Sequence, residues 1–96
     1  MIKEKVLTLL QEHLNEIRAF HIEKLFIFGS VARDQDTSKS DIDILIKFDG
    51  PASYDRYMDL KFYLEDLLDR KVDLVTEEAV RSEIRHFVEQ DLIRVA

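Results

Sequence analysis

Cysteine and tryptophan are absent from these 96 residues, proline occurs once and glycine twice. Without cysteine, disulfides and thiolate metal sites are excluded, and a cytoplasmic location is the default expectation. No apolar run approaches the ~20 residues needed to cross a bilayer. No signal peptide is expected either, because Met1-Ile2-Lys3-Glu4-Lys5 leads straight into an amphipathic pattern. Positive charge is in deficit, with 14 Lys and Arg against 20 Asp and Glu, a formal charge of -6. That sign argues against a protein that grips nucleic acid through its phosphates. There is no internal repeat, low-complexity tract or linker, so residues 1–96 are expected to form a single domain. The apolar fraction, 46%, is enough for one core.

Residues 2 to about 20 carry Ile2, Val6, Leu9, Leu10, Leu14, Ile17 and Phe20 at three- and four-residue steps, which predicts a helix. Leu25-Phe26-Ile27-Phe28, stopped by Gly29, predicts a short buried strand. A polar stretch follows. Asp41 to Phe48 then alternates: Ile42, Ile44, Ile46 and Phe48 share one face, and Asp41, Asp43, Leu45 and Lys47 the other. Asp49-Gly50-Pro51 ends that strand. A second helix is predicted over 53–68, with Tyr57, Met58, Lys61, Leu64, Leu67 and Leu68 on one stripe. Val72-Asp73-Leu74-Val75 predicts a third strand, and Thr76-Glu77-Glu78 a helix start continued by Val80, Ile84, Phe87 and Val88. Leu92 to Val95 completes an α-β-β-α-β-α-β order, an α/β (α+β) arrangement with a small, mostly mixed sheet.

Three aspartates stand out. Asp41 and Asp43 project from one strand face, roughly 6–7 Å apart. Like charges at that spacing must be solvated, protonated or bound to a cation. Asp73 repeats the situation on another strand, and if the two strands are neighbours the three carboxylates converge. Hard oxygen donors of this kind suit Mg²⁺ or Mn²⁺. Gly29-Ser30, closing a strand, lets backbone approach a phosphate closely and offers N–H and hydroxyl donors. Anion cradle and cation site together are what phosphoryl or nucleotidyl transfer requires. Taken singly, each part has a plainer reading: a turn, a solvated strand edge, a surface aspartate.

Gly29-Ser30-Val31-Ala32-Arg33 followed by Ser40-Asp41-Ile42-Asp43-Ile44-Leu45 resembles the signature of the polymerase-β-like nucleotidyltransferase superfamily. The short length and Val72-Asp73-Leu74-Val75 make the chain similar to the minimal nucleotidyltransferases. The resemblance implies a polymerase-β palm-like fold, a mixed sheet packed with helices, and a two-metal site moving NMP from an NTP to a hydroxyl. By position, Gly29 and Ser30 would hold the β- and γ-phosphates, with Arg33 a candidate phosphate contact. Asp41 and Asp43 would ligate Mg²⁺, Mn²⁺ being an alternative. Asp73 would ligate a second ion and help deprotonate the acceptor. Minimal members are commonly antitoxins of HEPN-domain toxins, either transferring AMP from ATP to the toxin or blocking it by binding. Related members modify aminoglycosides. Asp34 departs from the family, which usually has glycine there, and an acid near the phosphate loop should weaken triphosphate binding unless it faces solvent.

His13, His21 and His86 share no ligand spacing, and Arg81 with Arg85 reads as a solvated helix face. Tyr54, Tyr57, Phe62 and Tyr63 are expected in packing, with one of the tyrosines available to stack on adenine. The expectation is therefore a protein adenylyltransferase acting with ATP on a HEPN toxin, in a homo- or hetero-oligomer, without nucleic acid or membrane. The alternatives are a binding-only antitoxin and a small-molecule nucleotidyltransferase. The latter suits the chain less well, because 96 residues leave no second domain to shape an acceptor pocket.

Overall fold

The computed structural model describes residues 2–37, 40–51, 53–80 and 92–96. In chain order the elements are α1 (Ile2–Glu12), α2 (Leu14–Arg18), β1 (Ile22–Phe28), α3 (Gly29–Ala32) and β2 (Ile42–Phe48). They are followed by α4 (Tyr54–Leu68), β3 (Val72–Thr76), a 3₁₀ turn at Glu77–Ala79 and β4 (Ile93–Arg94). The strands form a mixed sheet in the order β3-β2-β1-β4, with β2 parallel to β3 and β1 antiparallel to both β2 and β4. The helix expected to start at Thr76 is a single 3₁₀ turn that ends at Val80 in extended backbone (ψ 113°). Its continuation through Ile84, Phe87 and Val88 lies outside the described residues, as do Arg81, Arg85 and His86.

Alternation does what it predicts. Ile42, Ile44, Ile46 and Phe48 of β2 are buried with Leu25 and Ile27 of β1 and Val72 and Leu74 of β3, forming one apolar face. Val6, Leu10 and Ile17 from the first two helices and Leu60, Leu64 and Leu68 from α4 cover it in a single cluster. Each such side chain contributes about 1.5–3 kcal/mol on burial, so this face anchors everything attached to the strands.

The differences from expectation are local. The first helix breaks at His13 (ψ 21°), whose Nδ1 lies 3.0 Å from the Leu9 carbonyl oxygen. The first strand begins at Ile22, after His21 turns the chain at a φ of 63°. On α4 the buried positions are Leu60, Leu64 and Leu68, so the apolar stripe is centred one step away from Met58 and Lys61. Leu45 shares the carboxylate face of β2 yet is buried. Ser53 caps α4, its Oγ accepting from the Arg56 N–H at 3.1 Å. Asp69 closes the helix in the left-handed region at a φ of 52°. No helix among the described residues is long and apolar enough to cross a membrane.

Candidate active site

Sheet topology assembles the site. Because β2 and β3 are parallel neighbours, Asp43 and Asp73 stand directly opposite each other in register. Because β1 runs antiparallel to β2, Phe28 is paired with Asp43, and Gly29 follows immediately at that same end of the sheet. The residues singled out from sequence therefore meet through backbone pairing, across separations of 14 and 30 residues for Gly29–Asp43 and Asp43–Asp73 respectively.

The contact between Gly29 and Asp43 is close enough to exclude any side chain at position 29. A Cβ there would overlap the Asp43 carboxylate, falling 2.9 Å from its Cγ and 3.3 Å from its Cβ. The φ of Gly29 is +72°, in the region L side chains rarely adopt. Ser30 follows in the single turn of α3, which is held to the core by buried Val31 and Ala32. The turn is closed by the Arg33 N–H on the Gly29 carbonyl (3.1 Å) and the Gln35 N–H on the Ser30 carbonyl (2.8 Å).

Asp34 takes a φ of 60°. This is the backbone conformation that glycine adopts freely and that aspartate tolerates better than most residues. Its side chain is exposed, so the acidic group stands in solvent while the backbone takes a conformation that glycine adopts freely.

Electrostatics mark Asp43. Its carboxyl is raised from the usual 3.8 to about 6. Burial is the largest cause, followed by the negative charges of Asp73 and Asp41 and a hydrogen bond with the Asp73 side chain; Arg33 opposes the shift. Arg33 compensates only part of the charge on this half-buried carboxyl between two others, and a proton supplies the rest below about pH 6. A divalent cation would supply it at neutral pH, and the all-carboxylate donor set fits Mg²⁺ or Mn²⁺ by its chemistry. Asp41, exposed and one residue before β2, acts on Asp43 through space. Among the described residues no three His, Cys, Asp or Glu side chains are gathered as metal ligands.

A cleft of about 670 Å³ is lined by Phe48, Tyr54, Tyr57, Leu74 and Thr76 among others. The cleft lies toward the Phe48 and Thr76 ends of β2 and β3, and Leu74 in its lining directly follows Asp73. Tyr57 donates its hydroxyl to the Leu74 carbonyl, and Tyr63 packs against Phe20 with ring centroids 5.3 Å apart. Tyr54 is solvent-exposed at the cleft rim.

A sequence model of the nucleotidyltransferase domain matches residues 10–95. The chain belongs to the nucleotidyltransferase domain family. Among its relatives is MJ0126 of Methanocaldococcus jannaschii, provisionally named a protein adenylyltransferase. It is 38% identical over 89 residues, covering 91% of each chain. The protein adenylyltransferase MntA of Thermococcus cleftensis is 33% identical over 93 residues, covering 96% of this chain and 94% of MntA. A solved structure provisionally identified as a minimal nucleotidyltransferase superposes with a TM-score of 0.81 at 31% identity, covering 97% of this chain and 95% of that one. The same fold occurs at 19% identity and a TM-score of 0.69 in the structure of a tri-AMPylated Shewanella oneidensis HEPN toxin with its MNT antitoxin. The match covers 94% of this chain and 71% of that one. The chain is thus a nucleotidyltransferase built on the minimal version of the fold.

Proposed function

We propose that this nucleotidyltransferase moves AMP from ATP to a hydroxyl of a partner protein, a HEPN-domain toxin, and so acts as its antitoxin. The observation that carries the chemistry is the Asp43–Asp73 register pair set against Gly29 at one end of the sheet. The near full-length similarity to a protein adenylyltransferase supports the acceptor class. The toxin–antitoxin complex of the same fold supports the kind of partner.

In this reading residues 1–96 act as one cytoplasmic domain. The Gly29-Ser30 turn holds the β- and γ-phosphates by backbone N–H and hydroxyl donors, and Arg33 adds positive charge on the same side. Asp41, Asp43 and Asp73 are the residues that would hold two Mg²⁺ ions. When bound, these ions neutralise charge on the triphosphate and on the oxygens entering and leaving phosphorus. The acceptor oxygen forms a bond to the α-phosphorus, the bond to the bridging oxygen of pyrophosphate breaks, and pyrophosphate departs with that electron pair. The acceptor proton passes to Asp73.

Purified protein, α-labelled ATP, Mg²⁺ and the cognate toxin should give labelled toxin. Asp41→Asn and Asp43→Asn should each abolish labelling with the fold intact. Full labelling by the double variant would overturn the assignment. The alternative is a binding-only antitoxin, for which the acidic Asp34 beside the phosphate-loop turn speaks. Toxin neutralisation that persists without ATP and in both Asn variants would favour it.

A further inference from the structure

We propose that Arg70 is a positioning residue that sets Asp41 against the Asp43–Asp73 pair. The inference rests on the reading of these carboxylates as the active site. Strand pairing fixes Asp43 opposite Asp73, but Asp41 stands one residue before β2, at the end of the polar connection that leaves α3. Such a connection must be ordered at an entropic cost of about 1–2 kcal/mol per residue.

Arg70 meets that connection from the turn between α4 and β3. Its Nη2 donates to the Thr37 carbonyl at 2.8 Å and to the Ser40 carbonyl at 2.5 Å. Its Nη1 lies 3.9 Å from an Asp36 carboxylate oxygen, and the two side chains are only 16% and 13% exposed. The segment receiving these bonds is closed on itself, the Thr37 N–H donating to the Ser40 Oγ at 2.8 Å and the Ser40 N–H to the Thr37 carbonyl at 3.1 Å. On the other side of Asp41, the Ile42 N–H donates to the Lys71 carbonyl at 2.9 Å. Asp41 is therefore bracketed by two attachments to Arg70 and Lys71, and Asp73 follows two residues later.

One guanidinium thus ties the segment ending in Asp41 to the turn that leads into Asp73. A lysine ammonium lacks the planar fork that spans two carbonyls and a carboxylate, so the arrangement selects arginine. A side chain holding a ligand-bearing segment acts on metal affinity, typically by 10–100-fold.

The test uses Arg70→Ala and Arg70→Lys with three readouts: calorimetric Mn²⁺ titration of the protein alone, amide hydrogen exchange, and AMP transfer against Mg²⁺ concentration. Arg70→Ala should weaken Mn²⁺ binding about tenfold. It should speed exchange at Ser40 and Asp41 while the amides of Ile44 and Ile46 stay protected. Transfer should recover at high Mg²⁺, and Arg70→Lys should fall between Ala and wild type. Unchanged exchange at Ser40 and Asp41 would overturn the proposal whatever the metal result. So would unchanged Mn²⁺ affinity, or protection lost equally across β2. Wild-type protein that binds no Mn²⁺ would count against the carboxylate site itself, leaving the exchange result to decide the role of Arg70.

Discussion

Asp43→Asn should make the metal-free protein more stable at neutral pH while removing its activity. In the folded protein this carboxyl titrates at about 6 against an ordinary 3.8. The folded state therefore binds more protons than the unfolded state between those values, and stability falls as pH rises through that window. Above about pH 6 the cost is complete; below about 3.8 both states are protonated and it vanishes. At 1.36 kcal/mol per pH unit the full linkage would be about 3 kcal/mol. Asp43 is half-buried and its neighbours are solvated, so screening reduces this to about 1 kcal/mol. Asparagine keeps the shape and a hydrogen-bonding group for Asp73 but never ionises. Urea unfolding in EDTA at pH 7.5 should show the variant about 1 kcal/mol more stable, equivalent to about 4–8 °C in Tm for a domain of this size. At pH 4 most of the difference should disappear. A variant equally or less stable at pH 7.5, or a gap unchanged at pH 4, would refute the account of Asp43 as an incompletely compensated carboxylate.

Mg²⁺ should reverse that order: saturating ion should raise the Tm of the wild type at pH 7.5 but not that of Asp43→Asn, as thermal melts with and without EDTA would show. Gly29→Ala should lose AMP transfer and about 1–3 kcal/mol of stability, since it combines a φ of +72° with overlap on the Asp43 carboxylate; labelled-ATP transfer and urea midpoints report the two losses separately. Asp34→Gly should preserve the turn and stabilise it by up to about 1 kcal/mol, because the position already has a φ of 60°. The same change should lower the KM for ATP by less than about threefold, the lost charge being solvent-screened.

The parts of the fold written in short-range periodicity were legible in the sequence. The Ile42–Phe48 alternation and the Gly29 stop are one-dimensional signals, and the structure realises both. The convergence of Asp73 with Asp43 was legible only as a condition, since it required β2 and β3 to be neighbours in one register. Strand order is a property of the whole core and has no local signature. The break at His13 was invisible because Leu9, Leu10, Leu14 and Ile17 keep helical spacing across it. Arg70 was equally unmarked: an arginine after a helix is ordinarily a surface residue. Its bonds to Thr37 and Ser40 span 33 and 30 residues, which no local pattern encodes.

Register also explains why fold and site are hard to separate in this protein. In β3, Val72 and Leu74 are buried in the core while Asp73 points to the opposite face, beside Asp43. A slip of one residue would turn Asp73 into the Ile/Leu cluster and expose Val72 and Leu74. Burying that carboxylate without a partner would cost several kcal/mol, in addition to the apolar burial lost from two side chains. The register that places Asp43 against Asp73 is therefore enforced by the residues on either side of Asp73, since the two carboxylates repel when both are ionised. The core supplies the energy that holds two like charges together, and in the proposed function that held repulsion is what a bound cation would relieve.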